Sequence, residues 1–340
     1  MHPGRVIQAA LSGAIGLVAA ASILSLLGRH AWLFDLLTFA RQHLLVLAMV
    51  LALTALAARR PRHAAVAAAA AAVNGLLVLA TVEKPASDPL AAGERLRVLS
   101  LNLLSENYYT GRMERFFRRT GADVLVLQEV SPYWGIKLDA LRDRYPHVWP
   151  GLVPFAGEIV VMSRFPFANA ETLPISKGIM ATPWARPVRV VLEVGAARVS
   201  LYGLHPDTPR SSERWRRRND ELGWIAELMA HRDEPGPRIV AGDFNASPWS
   251  PFMRDFIRVT GLRDASGGGL REPTRQPMLL SPYLSWLGAP VDHLLVSPDV
   301  AVRSFSIGRH VESDHLPIIA DLQLAGAGER DQSSGIKPAR

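Results

Sequence analysis

Arg238-Ile239-Val240-Ala241-Gly242-Asp243-Phe244-Asn245-Ala246-Ser247 is the stretch from which the rest of this chain can be read. The apolar run ahead of Gly242 has the make-up of a buried strand, and Asp243 and Asn245 stand at its carboxyl end. Side chains two apart on a strand share a face, so a carboxylate and an amide can converge there on one substrate atom. An Asx-rich turn closing a strand would have the same composition, so the other strand ends must decide between the two readings.

Working outward, Ser212 to Arg232 has the period of an amphipathic helix, with Trp215, Leu222, Ile225 and Met229 on one face and Ser212 able to cap it. Its Arg216-Arg217-Arg218 run, flanked by Glu213, Asp220 and Glu221, is expected on a solvated face. A second helix is expected from about Ser250 to Thr260, then a connector at Gly267 to Gly269 that lacks the basic and hydroxyl residues of a P-loop. Upstream, strands are expected at Arg97 to Leu103, Asp123 to Glu129 and Glu158 to Ser163. Helices are expected at Met113 to Thr120 and Pro132 to Arg142, and a hairpin at Arg186 to Val194 and Ala197 to Leu204, joined near Gly195 and running into His205. Val291 to Ser297 and Leu316 to Leu324 read as the last two strands. Strands that alternate with helices but include hairpins predict an α/β fold of two packed sheets rather than one parallel sheet.

The 340 residues are 49% hydrophobic, but the apolar ones crowd into the first eighty positions. Three transmembrane helices are expected there, at about 6–27, 36–58 and 64–82, since some 20 apolar residues cross a hydrocarbon core. A linker follows at 85–95, then one globular domain at 96–324 and a disordered tail at 325–340. Residues 1–84 hold seven basic side chains against Asp35 and Glu83, and so five of the chain's seven net positive charges. The basic excess thus flanks apolar spans and does not form a footprint for a polyanion. Arg59, Arg60 and Arg62 place their loop in the cytoplasm by the positive-inside tendency, and three crossings then put the large domain outside an inner membrane. If the alanine-rich third stretch did not insert, the domain would be cytoplasmic. Absence of cysteine excludes disulfides, thiolate nucleophiles and thiolate metal sites.

Polar residues close one expected strand after another: Asn102, Glu129, His205, Asp243 with Asn245, Asp292, and Asp314-His315. Leu101-Asn102-Leu103, Leu127-Gln128-Glu129, Gly242-Asp243-Phe244-Asn245, Val291-Asp292-His293 and Ser313-Asp314-His315-Leu316-Pro317 stand in the order found in the endonuclease/exonuclease/phosphatase superfamily. The chain resembles that family over roughly Leu96 to Leu324, and its apolar spans are similar to those of a membrane-anchored bacterial branch.

The resemblance implies a DNase I-like two-sheet sandwich and a phosphoester hydrolase dependent on Mg²⁺ or Mn²⁺. Glu129 matches the principal metal ligand, with Asn102 beside it and Asp314 completing the metal site. Asp243 matches the residue that positions or deprotonates the attacking water, and Asn245 would hold that water or a phosphate oxygen. His315 resembles the phosphate-contacting histidine, Asp292 the carboxylate that fixes its ring, and His205 a second phosphate donor. His293 is expected to point away from that face, while Arg164 and Asp207 stay open as phosphate or metal contacts. Hydrolysis of a phosphoester needs such charge neutralisation, an oriented water and help for the leaving oxygen. The expected activity is a membrane-tethered phosphodiesterase acting as a nuclease. The alternatives are a hydrolase of phospholipid head groups or small phosphoesters, and a non-catalytic membrane-anchored module.

Overall fold

The computed structural model describes residues 3–83, 93–107, 111–152, 158–174, 185–234, 236–276 and 284–324. Most of the expected linker and all of the expected tail lie outside them. Four helices come first: α1 (Pro3–Leu24), α2 (Trp32–Leu36), α3 (Arg41–Ala57) and α4 (Pro61–Leu79), with a 3-10 turn at Leu37–Ala40 joining α2 to α3. Arg5–Leu27, Trp32–Ala57 and Pro61–Leu79 are long and apolar enough to cross a membrane. The three long helices pack through Ile15 and Val18, Ala48, Leu51 and Ala55, and Ala67 and Ala70, the alanines letting the helix backbones approach closely. Arg41 turns into this bundle, donating to Ser25 Oγ at 3.0 Å and Asn74 Oδ1 at 3.3 Å, while Asn74 donates to Ser22 Oγ at 2.7 Å. At one end, the α3–α4 turn meets α1 through Arg60, His63 and Ser12.

The bundle's other end is built into the globular domain. There Arg29 pairs with Asp255 at 2.6 Å, Trp32 Nε1 donates to the Pro209 carbonyl at 2.7 Å, and His43 Nε2 lies 2.6 Å from the Trp286 carbonyl. After α4, Glu83 N donates to Gly267 O at 3.2 Å and Gly269 N to Thr81 Oγ1 at 3.2 Å. The glycine connector is therefore the seat of the chain leaving α4. Gly268 has φ +74°, and a Cβ there would lie 1.7 Å from the Thr81 carbonyl oxygen, so the seat admits only glycine.

The domain is two six-stranded mixed sheets. The first runs β11 (Val300–Ile307), β12 (Ile318–Leu324), β1 (Arg95–Asn102), β2 (Val124–Gln128), β4 (Val160–Ser163), β3 (His147–Trp149). The second runs β5 (Phe167–Thr172), β6 (Val188–Val194), β7 (Ala197–Leu204), β8 (Arg238–Asp243), β10 (Asp292–Val296), β9 (Arg263–Asp264). Their facing sides interdigitate through Val98, Val126, Val190, Leu201, Ile239, Ala241 and Leu294, the core of the sandwich. Helices α5 (Gly111–Thr120) and α6 (Pro132–Asp139) cover the first sheet, α7 (Ser212–His231) and α8 (Pro251–Thr260) the second.

The expected helices and the eight expected strands are present, and α7 is capped by Ser211, one residue ahead of the expected cap. Strands β3, β5, β9 and β11 were not anticipated. They are the edge strands of the two sheets, short or partly exposed, which dilutes their apolar signal.

Topology places the polar strand ends together. β1 and β2 are parallel across the α5 crossover, as are β7 and β8 across α7. β10 and β12 run antiparallel to β8 and β1, so they begin at the end where those strands finish.

Candidate functional site

In register, Asn102 is opposite Gln128, so the residue after β2, Glu129, stands beside the end of β1. Glu129 has φ +55°, a left-handed turn that swings its carboxylate back over Asn102. Asn102 Nδ2 then donates to Glu129 Oε1 at 2.9 Å and to Asp243 Oδ2 at 3.3 Å, bridging the two sheets. The Ser105 N–H donates to Glu129 Oε2 at 2.9 Å.

In the second sheet, Leu204 pairs with Gly242. A Cβ on Gly242 (φ +153°) would lie 2.0 Å from the Leu204 carbonyl oxygen, so glycine is what lets β7 and β8 close here. Closure brings His205 Nε2 to 3.6 Å from Asp243 Oδ2 and 4.0 Å from Glu129 Oε1. Asp292 is opposite Asp243 in register, and its Oδ2 accepts from His315 Nδ1 at 2.9 Å. His315 Nε2 thereby points at Asp243 Oδ2, 3.5 Å away. Ser313 fixes the preceding turn, its hydroxyl donating to the Asn102 carbonyl at 2.7 Å and accepting from His315 N at 3.0 Å.

The electrostatics are those of a buried, mixed-charge cluster. Burial favours a neutral His205, but Glu158, with Asp243 and Glu129, outweighs it and pushes the imidazole up to about 10. Burial likewise opposes charge on His315, and Asp292 with Asp243 pushes it up to about 9. Burial works against ionisation of Asp243, yet His315, His205 and Arg275 hold its carboxyl below the usual range. Glu129 is lowered too, against its burial, by His205, the Ser105 N–H and Asn102. Without a metal, the site thus sets carboxylates around two imidazoles whose charged forms they favour.

The structure brings Asn102, Glu129, His205, Asp243, Asp292 and His315 together. Asn245 is adjacent, but its amide is already engaged: Nδ2 donates to the Pro206 carbonyl at 3.1 Å, and Oδ1 lies 3.5 Å from Arg275 Nη1. Asp314 sits at the rim, 3.6 Å from Arg275 Nε, and stands outside the carboxylate–histidine groups around Glu129 and Asp243. Asn102 offers Glu129 its amide nitrogen and uses its oxygen to accept from Leu104 N at 3.0 Å. Asp207 pairs with Arg217 at 2.8 Å and lines the cleft of about 230 Å³ shared by Glu129, Glu158 and His205. Arg164 pairs with Asp123 away from the site, and His293 faces the opposite side, 2.9 Å from the Ala246 carbonyl and 3.5 Å from Asp264.

Three contributions escape sequence reasoning. Glu158 lies 3.0 Å from His205 Nδ1, brought there because β4 pairs antiparallel with β2. Arg275 comes from an irregular segment that bridges to Ala289 and His315. The third corrects the expected solvated face of α7: Arg218 is fully buried, donating to the Asn245 carbonyl at 2.8 Å and to Asp35 Oδ2 at 2.5 Å. Asp35, also buried, belongs to α2 and accepts further from Trp215 Nε1 at 3.1 Å and Ser250 Oγ at 2.8 Å. Ser247 Oγ donates to Thr38 Oγ1 at 2.9 Å. The loop carrying Asp243 and Asn245 therefore rests on residues from the apolar amino-terminal region.

The donor set fits a divalent cation. Glu129, Glu158 and His205 each bring a ligand atom within 4.8 Å of one another, and so do Asp243, Asp292 and His315. Carboxylate oxygens without thiolates suit Mg²⁺ or Mn²⁺.

Comparison with known proteins follows this geometry. The model of the "Endonuclease/Exonuclease/phosphatase family" matches residues 99–315, well over half of the chain. No curated protein matches it in sequence. A solved endonuclease/exonuclease/phosphatase from Bacteroides vulgatus superposes with a TM-score of 0.56 at 19% identity, over 68% of this chain and 99% of its own. A 3′ phosphatase from Neisseria bound to product DNA hairpin gives 0.51 at 16%, over 66% and 98%. Sphingomyelinase C from Streptomyces griseocarneus gives 0.50 at 18%, over 68% and 99%. At such identities these likenesses establish the fold.

Proposed function

Because the chain belongs to the endonuclease/exonuclease/phosphatase family, whose members hydrolyse phosphoester bonds, we propose that it is a membrane-tethered, divalent-metal-dependent phosphodiesterase. The observation that carries this is the placement of Asp243 Oδ2 between the Nε2 atoms of His205 and His315, 3.6 and 3.5 Å away, with Glu129 joined to it through Asn102. Asp243 is the base or anchor for the attacking water. His315, oriented by Asp292, and His205, oriented by Glu158, donate to the non-bridging oxygens as negative charge builds on them. Glu129, with Glu158 and Asp243 near it, would hold Mg²⁺ or Mn²⁺, which when bound supplies Lewis-acid neutralisation of the phosphate. Asp314 with Arg275 forms the rim against which the rest of the substrate lies. The convergence of Glu129, Asp243 and His315 speaks against a non-catalytic module, which has no need of it.

The apolar helices support the tether, and Arg5, Arg59, Arg60 and Arg62 at the far end of the bundle favour a cytoplasmic far end and an extracytoplasmic domain. Nucleic acid and phospholipid both carry the bond this site would cleave, and relatives of this fold include the DNA-bound 3′ phosphatase and the sphingomyelinase. The test uses the full chain in detergent with Mg²⁺ and the soluble chromogenic diester bis-p-nitrophenyl phosphate. Turnover that is abolished by chelator and falls at least a hundredfold in Asp243→Asn is expected. Undiminished turnover in Asp243→Asn, or none in folded, metal-loaded wild type, would overturn the reading.

A further inference from the structure

The domain does not merely follow the bundle; it leans on α3. Gln42, His43, Val46, Leu47 and Val50 of α3 form one wall of a groove of about 740 Å³, and the opposite wall carries Leu270, Trp286 and Leu287. Leu270 and Trp286 are 66% and 58% exposed, unusual for large apolar side chains on a domain surface. A second cavity of about 300 Å³ shares His43 and Leu287 with the first and reaches Arg275. Arg275 is the guanidinium already found beside Asn245 and Asp314 at the catalytic rim. An apolar path thus leads from the outward face of a helix apolar enough to cross a membrane to a cation at the phosphoesterase centre.

We propose that this groove seats an acyl chain of a membrane phospholipid and delivers its head-group phosphate to Arg275 and the site, making phospholipid the substrate of the activity proposed above, on which this inference rests. The dimensions agree. From Gln42 to Val50 the groove follows α3 for about 12 Å, most of the roughly 15 Å that one leaflet's hydrocarbon occupies. The polarity agrees as well. Gln42, His43, Arg271 and Glu272 line the end toward the domain, Val46, Leu47 and Val50 the end toward the bundle, and Trp286 stands beside His43, where an indole suits a membrane interface. A guanidinium at the head-group end complements a phosphate diester, whereas a nucleic acid strand has no use for an apolar channel into a bilayer. The anchor gives two advantages at once, since lipid arrives by lateral diffusion and at the high local concentration of a membrane.

The test uses the full chain in nanodiscs of phosphatidylglycerol and phosphatidylcholine, with the chromogenic diester as reference and supercoiled plasmid as competitor substrate. Val46→Trp, which fills the groove, is expected to lower the ratio of phospholipid to chromogenic-diester turnover at least tenfold. A phosphatidylglycerol probe carrying a photoactivatable diazirine on its acyl chain is expected to label α3 or the opposite wall at Leu270, Trp286 and Leu287. Chromogenic-diester turnover without phospholipid turnover, an unchanged ratio in Val46→Trp, or lipid labelling with cleavage of plasmid alone would each overturn the inference and leave the phosphodiesterase standing. No turnover of any diester by wild type would overturn both.

Discussion

Asp35→Ala asks whether the amino-terminal helices are an anchor or a working part of the domain. The carboxylate is buried against a buried guanidinium, and it accepts from Arg218, Trp215 and Ser250. Breaking a buried pair by removing one partner costs about 3–5 kcal/mol, because the remaining charge is left without compensation. Burial already depresses the Arg218 pKa against the pull of Asp35, so the loss of Asp35 removes what keeps that charge tolerable. For a domain of this size each kcal/mol is worth roughly 2–4 °C in Tm, which gives a fall of about 6–20 °C. Activity should fall beyond what unfolding explains, since Arg218 also holds the Asn245 carbonyl and, through it, the loop of Asp243. Thermal unfolding of the full chain in detergent, followed by tryptophan fluorescence, and chromogenic-diester turnover well below the variant's Tm read the two effects. The Asp35→Ala/Arg218→Met double variant, free of the stranded charge, should recover most of the stability but not the loop support. A Tm change under 2 °C with full activity in Asp35→Ala would refute the reasoning.

Glu221 is almost wholly buried and its carboxyl is pushed up from 4.5 to about 8, chiefly by burial and against the pull of His205. A raised carboxyl pKa stabilises the fold fully below the unfolded value, and that stabilisation is lost as pH rises from about 4.5 to about 8. Glu221→Gln should therefore gain a few kcal/mol over wild type at pH 8.5 and almost nothing at pH 4.5, with chelator present in both Tm series. An equal difference at the two pH values would contradict this. Because the chain has no cysteine, Asp233→Cys, exposed just past the end of α7, reports orientation cleanly. Labelling of intact cells by a membrane-impermeant maleimide is expected, and labelling only after lysis would place the domain in the cytoplasm.

Legibility followed the range over which each signal acts. The α7 period, the helix start near Ser250 and the strand runs are local, and the helices and central strands stand within a few residues of their expected bounds. The motif residues were legible because chemistry restricts their types, and parallel crossovers at β1–β2 and β7–β8 bring their strand ends together. Glu158 and Arg275 carry no such mark, since an acidic residue ahead of a strand and an arginine in a loop are commonplace. Glu158 is placed by the pairing of β4 with β2, and Arg275 by isolated bridges to Ala289 and His315. Arg218 misled for a related reason. A triple-arginine run among acids looks solvated, and the partner that buries its third member is 183 residues away in sequence.

That partner changes what the amino-terminal region means. A tether needs only length and hydrophobicity, and nothing in a tether requires a buried carboxylate at its turn. Here the region touches the domain at several places, among them two separate seats, Asp35 and Thr38 beneath the Asp243 loop and Thr81 to Glu83 against the glycine connector. Two seats fix an orientation where one would leave a swivel, and the fixed orientation is what aligns the α3 groove with Arg275. Burying Asp35 with Arg218 offers little net stability compared with an apolar pair of similar volume. Its value lies in register, because a charge pair tolerates only one seating of the loop on the bundle. Catalytic geometry and approach from the bilayer side would then be set by the same residues.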